Sequence, residues 1–361
     1  MTRRWRVLAG VVLAVVALLA IRSAGSEGPA RLGGTVAAIE STLDFRSQAA
    51  AVALGDGTVL MWGGRSLSPD SGNVFDPATG DWTHLPEAPG PGRFAAAAVW
   101  TGSEALIWGG STTTDPMALD PGGIAWNPAT RRWREIPAAP LALMSARAVA
   151  FPGGVLFTGG SRLDSSKPVD LWLDLRANRW TVVANAVRVL NTAWHDGELV
   201  GTGPVPPAVG ESGPGTWSVV RFDERRLAWS GAAPGVRTEW MALASAQGTL
   251  SAVAVEGEQV RGLVLDEPAQ TWDEVANSRP GSFVVTVEPS GNPPAVVWTG
   301  DRLLLGGSGG LVGWSPDTHE ISEISDRRLR SFGGTVVWTG RQVVSLVTQG
   351  SKGWTWTPPA E

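Results

Sequence analysis

Short runs of small, apolar and β-branched residues recur along the chain, each cut off by glycine, proline or aspartate. The clearest unit spans Arg93 to Trp133. An arginine opens it; Phe94 to Trp100 is an apolar run, Thr101-Gly102 a break, Leu106-Ile-Trp108 a second run, and Gly109-Gly110 its end. A longer loop follows, then Trp126 and, seven residues on, Trp133, either side of Asn127-Pro-Ala-Thr130. Short apolar runs between turn residues predict strands joined in hairpins. The unit recurs with a period in the forties. Such a period marks a module that cannot bury its apolar face alone and stacks on copies of itself.

Seven units can be laid out, opened by Arg46, Arg93, Arg147, Arg188, Arg237, Arg279 and Arg330. First hairpins fall at Gly55-Asp-Gly57, Thr101-Gly102, Pro152-Gly-Gly154, Asp196-Gly197, Gln247-Gly248, Thr299-Gly300 and Thr339-Gly340. The third strands carry Phe75, Trp126, Leu173, Phe222, Leu265, Trp314 and Trp356; the fourth carry Trp82, Trp133, Trp180, Trp229, Trp272 and Ile321. Unit seven lacks a fourth strand after Trp356, whereas Thr35-Val-Ala-Ala-Ile-Glu40 lies just before Arg46, where a fourth strand belongs. The expected fold is all-β: a seven-bladed β-propeller of four-stranded antiparallel blades over residues 33–361, closed by an N-terminal strand that completes the last blade. Such closure removes the open sheet edge.

A glycine pair ending strand two, followed by an aromatic and then a tryptophan, resembles the kelch repeat and the propeller domain of the galactose oxidase group. The resemblance covers about residues 33–361. It departs where Ser251-Ala-Val253 and Ser345-Leu-Val347 replace the glycine pair, and where Phe, Trp or Leu replaces the family's Tyr before the Trp. The resemblance implies partner binding on one propeller face, and some relatives handle acidic sugars. Galactose oxidase-like copper enzymes use a tyrosyl radical crosslinked to cysteine, and sialidases use a tyrosine nucleophile. This chain has no Tyr and no Cys, which excludes both activities.

Composition sharpens the picture. Gly (46) and Pro (26) are plentiful and charged residues make up only 17%, which suits many tight turns. With 19 Trp, each burying roughly 150–250 Å², the core rests on indoles. The absence of cysteine excludes disulfides, thiolate metal sites and a cysteine nucleophile. A net charge of −5 argues against nucleic acid as partner. Arg3, Arg4 and Arg6 precede an apolar run from Val7 to Ile21, and Ala24-Gly-Ser26 offers a cleavage site. Residues 1–26 therefore read as a signal peptide or signal anchor and 27–32 as a linker. The rest is expected to be extracytoplasmic, secreted or anchored to the cell membrane by its N-terminal segment.

Candidate chemistry is sparse. His84, His195 and His319 fall in units one, four and six and read as solvated surface side chains rather than metal or catalytic groups. Gly306-Gly-Ser-Gly-Gly310 lacks the lysine and helix of a phosphate loop. Acidic loops from Asp115 to Asp120 and from Asp164 to Asp170 lack calcium-ligand spacing. No catalytic residue, metal or cofactor is expected. The seven opening arginines remain: around one mouth of the channel they could bind an anionic ligand, or hydrogen-bond neighbouring carbonyls. They are the candidate ligand-binding residues. Loops of varied length, Arg65–Asn73, Ser111–Gly123, Ser161–Val169 and Pro204–Gly215, open on the same face, where recognition is commonly carried. The expectation is an exported, monomeric, non-enzymatic binding module for a protein or carbohydrate ligand. The alternative is an isomerase or lyase acting on an acidic sugar, with arginines orienting a carboxylate and an Asp or Glu as base.

Overall fold

A computed structural model of the chain describes residues 30–40, 46–66, 68–112, 118–162, 168–185, 187–205, 215–257, 259–278, 295–307, 310–324, 326, 335–346 and 353–359. The export signal read at residues 1–26 lies outside the described residues, as do Arg279 and Arg330. Among the described residues there is no helix.

The two leading strands are β1 (Ala30–Arg31) and β2 (Thr35–Ile39). Blade one is β3 (Ala50–Ala53), β4 (Val59–Trp62), β5 (Gly72–Phe75) and β6 (Trp82–His84); blade two is β7 (Ala97–Trp100), β8 (Ala105–Trp108), β9 (Gly123–Asn127) and β10 (Arg132–Ile136). Blade three is β11 (Arg147–Phe151), β12 (Gly154–Thr158), β13 (Val169–Asp174) and β14 (Arg179–Ala184); blade four is β15 (Asn191–His195), β16 (Glu198–Val205), β17 (Thr216–Asp223) and β18 (Ala228–Arg237). Blade five is β19 (Trp240–Ala246), β20 (Thr249–Glu256), β21 (Gln259–Asp266) and β22 (Thr271–Asn277); blade six is β23 (Val296–Trp298), β24 (Leu303–Gly307), β25 (Gly310–Ser315) and β26 (Glu320–Ile324). Blade seven has β27 (Thr335–Trp338), β28 (Val343–Leu346) and β29 (Gly353–Thr357). Its fourth strand is β2, paired antiparallel with β29 as the sequence predicts. Ala30 and Arg31, expected in a linker, instead pair parallel with β26 and give blade six a fifth strand.

The seven-residue spacing has a direct cause. Each aromatic or leucine of strand three lies opposite the large residue of strand four: Phe75 faces Trp82, Trp126 faces Trp133, Leu173 faces Trp180, Phe222 faces Trp229, Leu265 faces Trp272 and Trp314 faces Ile321. In blade seven Val36 of β2 takes that place against Trp356. Cross-strand pairs of this kind stabilise sheets, and here they recur in every blade. The outer indoles also reach backwards: Trp133 Nε1 donates to Pro86 O (2.9 Å), Trp180 to Pro137 O (2.8 Å) and Trp272 to Pro234 O (2.8 Å), each on the preceding blade.

Because each blade is sandwiched between two others, both faces of its second strand are dry; β4, β8 and β12 are buried at every position. The core is therefore a ring of apolar clusters. One cluster joins blades one and two around Trp62 and Ile107, another joins two and three around Trp108 and Phe157, and others join three to four, four through six, six to seven and seven to one.

The glycine pairs serve close approach. Gly63, Gly109 and Gly159 have φ of 73°, 75° and 71°. A Cβ on them would lie 2.3, 2.6 and 2.2 Å from the carbonyl oxygens of Arg93, Leu143 and Val189 at the opening of the next blade. Gly64 and Gly110 donate to the same Arg93 and Leu143 carbonyls at 2.9 and 2.8 Å. Only a residue free to take positive φ without a side chain lets adjacent blades meet here.

Candidate functional site

Those glycine contacts also fix which arginines are equivalent. Arg46 and Arg93 each stand four residues before the inner strand, and the bridges Ser47 to Arg65 and Phe94 to Ser111 match Met144 to Ser161 in blade three. The third occupant of the arginine position is thus Leu143, not Arg147. Arg188 precedes Val189, the residue that meets Gly159, and Arg237 ends the outer strand β18 and is exposed. Among the described residues, Arg46, Arg93, Arg147, Arg188 and Arg237 therefore do not occupy equivalent positions in their blades. A leucine fills the slot in blade three, and the nearest arginine lies four residues on, inside β11.

Arg46 and Arg93 are 5% and 4% exposed. Arg46 Nη1 donates to the carbonyls of Gly63, Ser68 and Ser71 at 3.0, 3.1 and 2.9 Å, and Nη2 to Ser71 Oγ. Arg93 Nη1 donates to Gly122 O at 2.6 Å, and Nη2 lies 3.4 Å from Asp120 Oδ2. Burial lowers the Arg93 pKa, and Asp120 opposes that shift. Both side chains spend their donors on the loop between strands two and three of their own blade. Arg188 reaches back to blade three, with Nε on Gly159 O (2.9 Å) and Nη2 on Ser161 Oγ (2.5 Å); burial lowers its pKa too.

Arg147 differs. It is the first residue of β11 and lines a chamber of about 410 Å³ on the channel side of blades three to six. No hydrogen bond or ion pair satisfies its guanidinium among the described residues. Its pKa is lowered by desolvation alone, so no acid opposes the shift. Level with it on blade four is Asn191: Arg147 pairs with Thr158 and Asn191 with Thr202, each four residues before the hairpin. Asn191 Oδ1 accepts from Leu243 N at 2.7 Å. That bond orients the amide, since a peptide N–H needs an acceptor, and leaves Nδ2 as a donor on the chamber wall without an acceptor among the described residues. Two adjacent blades thus present unspent donors at one height.

Three residues further along the strands, about 10 Å lower, the lining changes. Trp194 of β15 is 47% exposed, Trp298 of β23 is half-buried, and Ser245 of β19 completes that level. No carboxylate is among the described residues that line the chamber.

Of the three histidines, His84 is exposed on β6 beside Asn73 and His319 is exposed and stacked on Trp314. His195 is not a surface side chain: it is 3% exposed, and Ser245 and Glu267 bond its two ring nitrogens. Its partners lie 50 and 72 positions away, so nothing in the local sequence announces them. Nor does any motif announce Asn191. Among the described residues no group of three or more His, Cys, Asp or Glu could hold a metal ion. The chain matches no protein-family model and no curated protein.

Proposed function

We propose that the chain is an exported binding module that takes an anionic group of a protein or carbohydrate ligand into the channel chamber, from the face that carries the long loops. Arg147 carries this reading: a cation crowded by protein, with no acid paired to it among the described residues, level with the spare Nδ2 of Asn191. A carboxylate or sulfate satisfies both, because the planar guanidinium fork matches two oxygens and the amide supplies a further donor. Below them, Trp194 and Trp298 offer indole faces to a sugar ring or an aromatic side chain. Kinship with kelch propellers, and delivery across or tethering to the membrane by residues 1–26, belong to the same reading. The lining supports binding over the isomerase or lyase alternative, which needs a carboxylate base beside the arginine.

Titration with glucuronate, succinate and sulfate tests it, read by tryptophan fluorescence because two chamber indoles report occupancy. A charge-assisted hydrogen bond contributes about 1.5–3 kcal/mol, so Arg147→Gln should weaken binding of the responding anion about tenfold to a hundredfold. Unchanged affinity in a folded Arg147→Gln protein, or no response to any of the three anions, would overturn the reading.

A further inference from the structure

At the lower level of the same chamber stands a cluster of another kind. Ser245 lies in β19, one residue before its hairpin, on the chamber wall. Its Oγ is 2.9 Å from His195 Nδ1, and His195 Nε2 is 2.8 Å from Glu267 Oε1 in the turn between β21 and β22. Asp196 Oδ2 stands 4.0 Å from the same Nε2. An ionised carboxylate can only accept, so Glu267 holds the imidazole proton on Nε2 and turns the Nδ1 lone pair towards Ser245. The serine is then the donor. A hydroxyl, a base that can take its proton and a carboxylate that orients the base are the parts of an activated nucleophile, recognised by geometry rather than by sequence order.

The strand supplies the remaining part. Leu243 N–H leaves the free edge of β19 to reach Asn191. Alternation along an antiparallel ladder sends the N–H of Ser245, two residues on, off the same edge beside its own Oγ. A backbone donor there can meet the oxygen of a tetrahedral intermediate.

We propose that Ser245, His195 and Glu267 hydrolyse esters in this chamber. Ser245 Oγ attacks the ester carbonyl carbon while its proton passes to His195 Nδ1. The carbonyl carbon–alkoxy oxygen bond breaks, and the leaving alcohol takes that proton. Water then attacks the acyl-serine, giving its proton to Nδ1, and releases the acid as Oγ recovers a hydrogen. Ser245 and His195 are catalytic residues; Glu267 is a positioning residue. The substrate class rests on the anion reading above: an ester with a carboxylate or sulfate at least about 10 Å from the scissile carbonyl, since three strand residues of rise separate the Ser245 and Arg147 levels and blade four stands between them.

The test treats the full chain with a fluorophosphonate, maps the adduct by mass spectrometry, and follows hydrolysis of p-nitrophenyl acetate and mono-p-nitrophenyl sebacate. The adduct should fall on Ser245, and Ser245→Ala should abolish both labelling and turnover. His195→Gln should lower kcat at least a hundredfold. Glu267→Gln should lower kcat and move its pH profile while leaving KM unchanged, which a merely structural link would not do. Arg147→Gln should raise KM for the sebacate ester alone. If it leaves both esters unaffected while Ser245 still labels, hydrolysis stands and the anion reading falls. A folded wild-type protein that carries no adduct on Ser245, or turns over neither ester faster than Ser245→Ala, overturns the assignment.

Discussion

Asp170 of β13 is a buried charge between blades three and four, 1% exposed. Its Oδ2 accepts from Trp229 Nε1 of blade four at 2.7 Å and from Asn185 Nδ2 at 2.9 Å. Oδ1 has no bonded partner within hydrogen-bond geometry, although Thr158 and Gly159 lie close enough to favour the anion electrostatically. Burial outweighs these donors and pushes the carboxyl up from 3.8 to about 6. The gap of about two pH units corresponds to about 3 kcal/mol. The folded state is thus the better proton binder between the two values. This group's contribution is full below 3.8 and is lost as pH rises to about 6. Asp170→Asn keeps an oxygen for Trp229 and Asn185 and removes the titration. The stability of the variant relative to the parent should therefore shift by about 2 kcal/mol in the variant's favour between pH 4 and pH 7. Urea unfolding followed by circular dichroism at four pH values measures that difference, in which other carboxylates cancel. A difference constant across the range, or one moving the other way, would refute the argument.

Arg93 and Arg237 are both predicted openings with different fates. Arg93→Gln should cost about 2–3 kcal/mol, since it takes the cation from Asp120 and the donor from the Gly122 carbonyl in a largely buried site, while Arg237→Gln, on an exposed strand end, should stay within about 0.5 kcal/mol; chemical denaturation of the two variants separates them. Gly109→Ala meets the Leu143 carbonyl at 2.6 Å and positive φ together, whereas Gly102→Ala meets positive φ in open space; calorimetry should find the first the more destabilising by more than the roughly 1–2 kcal/mol of left-handed strain alone. Deleting Thr35–Ile39 opens the β29 edge and should replace a single cooperative transition by a broad one with aggregation, seen by light scattering during a thermal scan; a deletion chain that melts as sharply as the parent would contradict closure through β2.

The architecture was legible because it rests on local spacing. Trp126 and Trp133 face each other across one hairpin, so seven residues of separation carry the whole signal. Closure was legible because a strand missing after Trp356 and a spare one at Thr35 are two halves of one observation. Which arginines are equivalent was not legible, for a physical reason: the position is defined by contact with the glycine pair of the preceding blade, which is a distance between blades. Leu143 and Arg147 both lie near the start of a strand, and only the Gly109 contact distinguishes them. The chamber was hidden more deeply. Asn191 matters through Leu243, and His195 through Ser245 and Glu267, all on a neighbouring blade. A repeat predicts what each blade shares and says nothing of what one blade holds alone.

That distinction bears on function. At the first position of the inner strand, blades one and two pair Ala50 with Trp62 and Ala97 with Trp108. The four side chains are buried: the indole fills the space and the alanine makes room for it. Blade three pairs Arg147 with Thr158, and blade four pairs Asn191 with Thr202. Both members change together. Losing the indole opens the wall, and the residue opposite becomes a donor rather than a filler. Arg46 and Arg93 bond within their own blades and recur in blades one and two. A ligand off the axis would occupy one side of the channel, so the groups proposed to meet it need not recur, and Arg147 and Asn191 fit that condition. The departure from the repeat at this one level is thus what opens the wall of the chamber at blades three and four, while blades one and two stay closed.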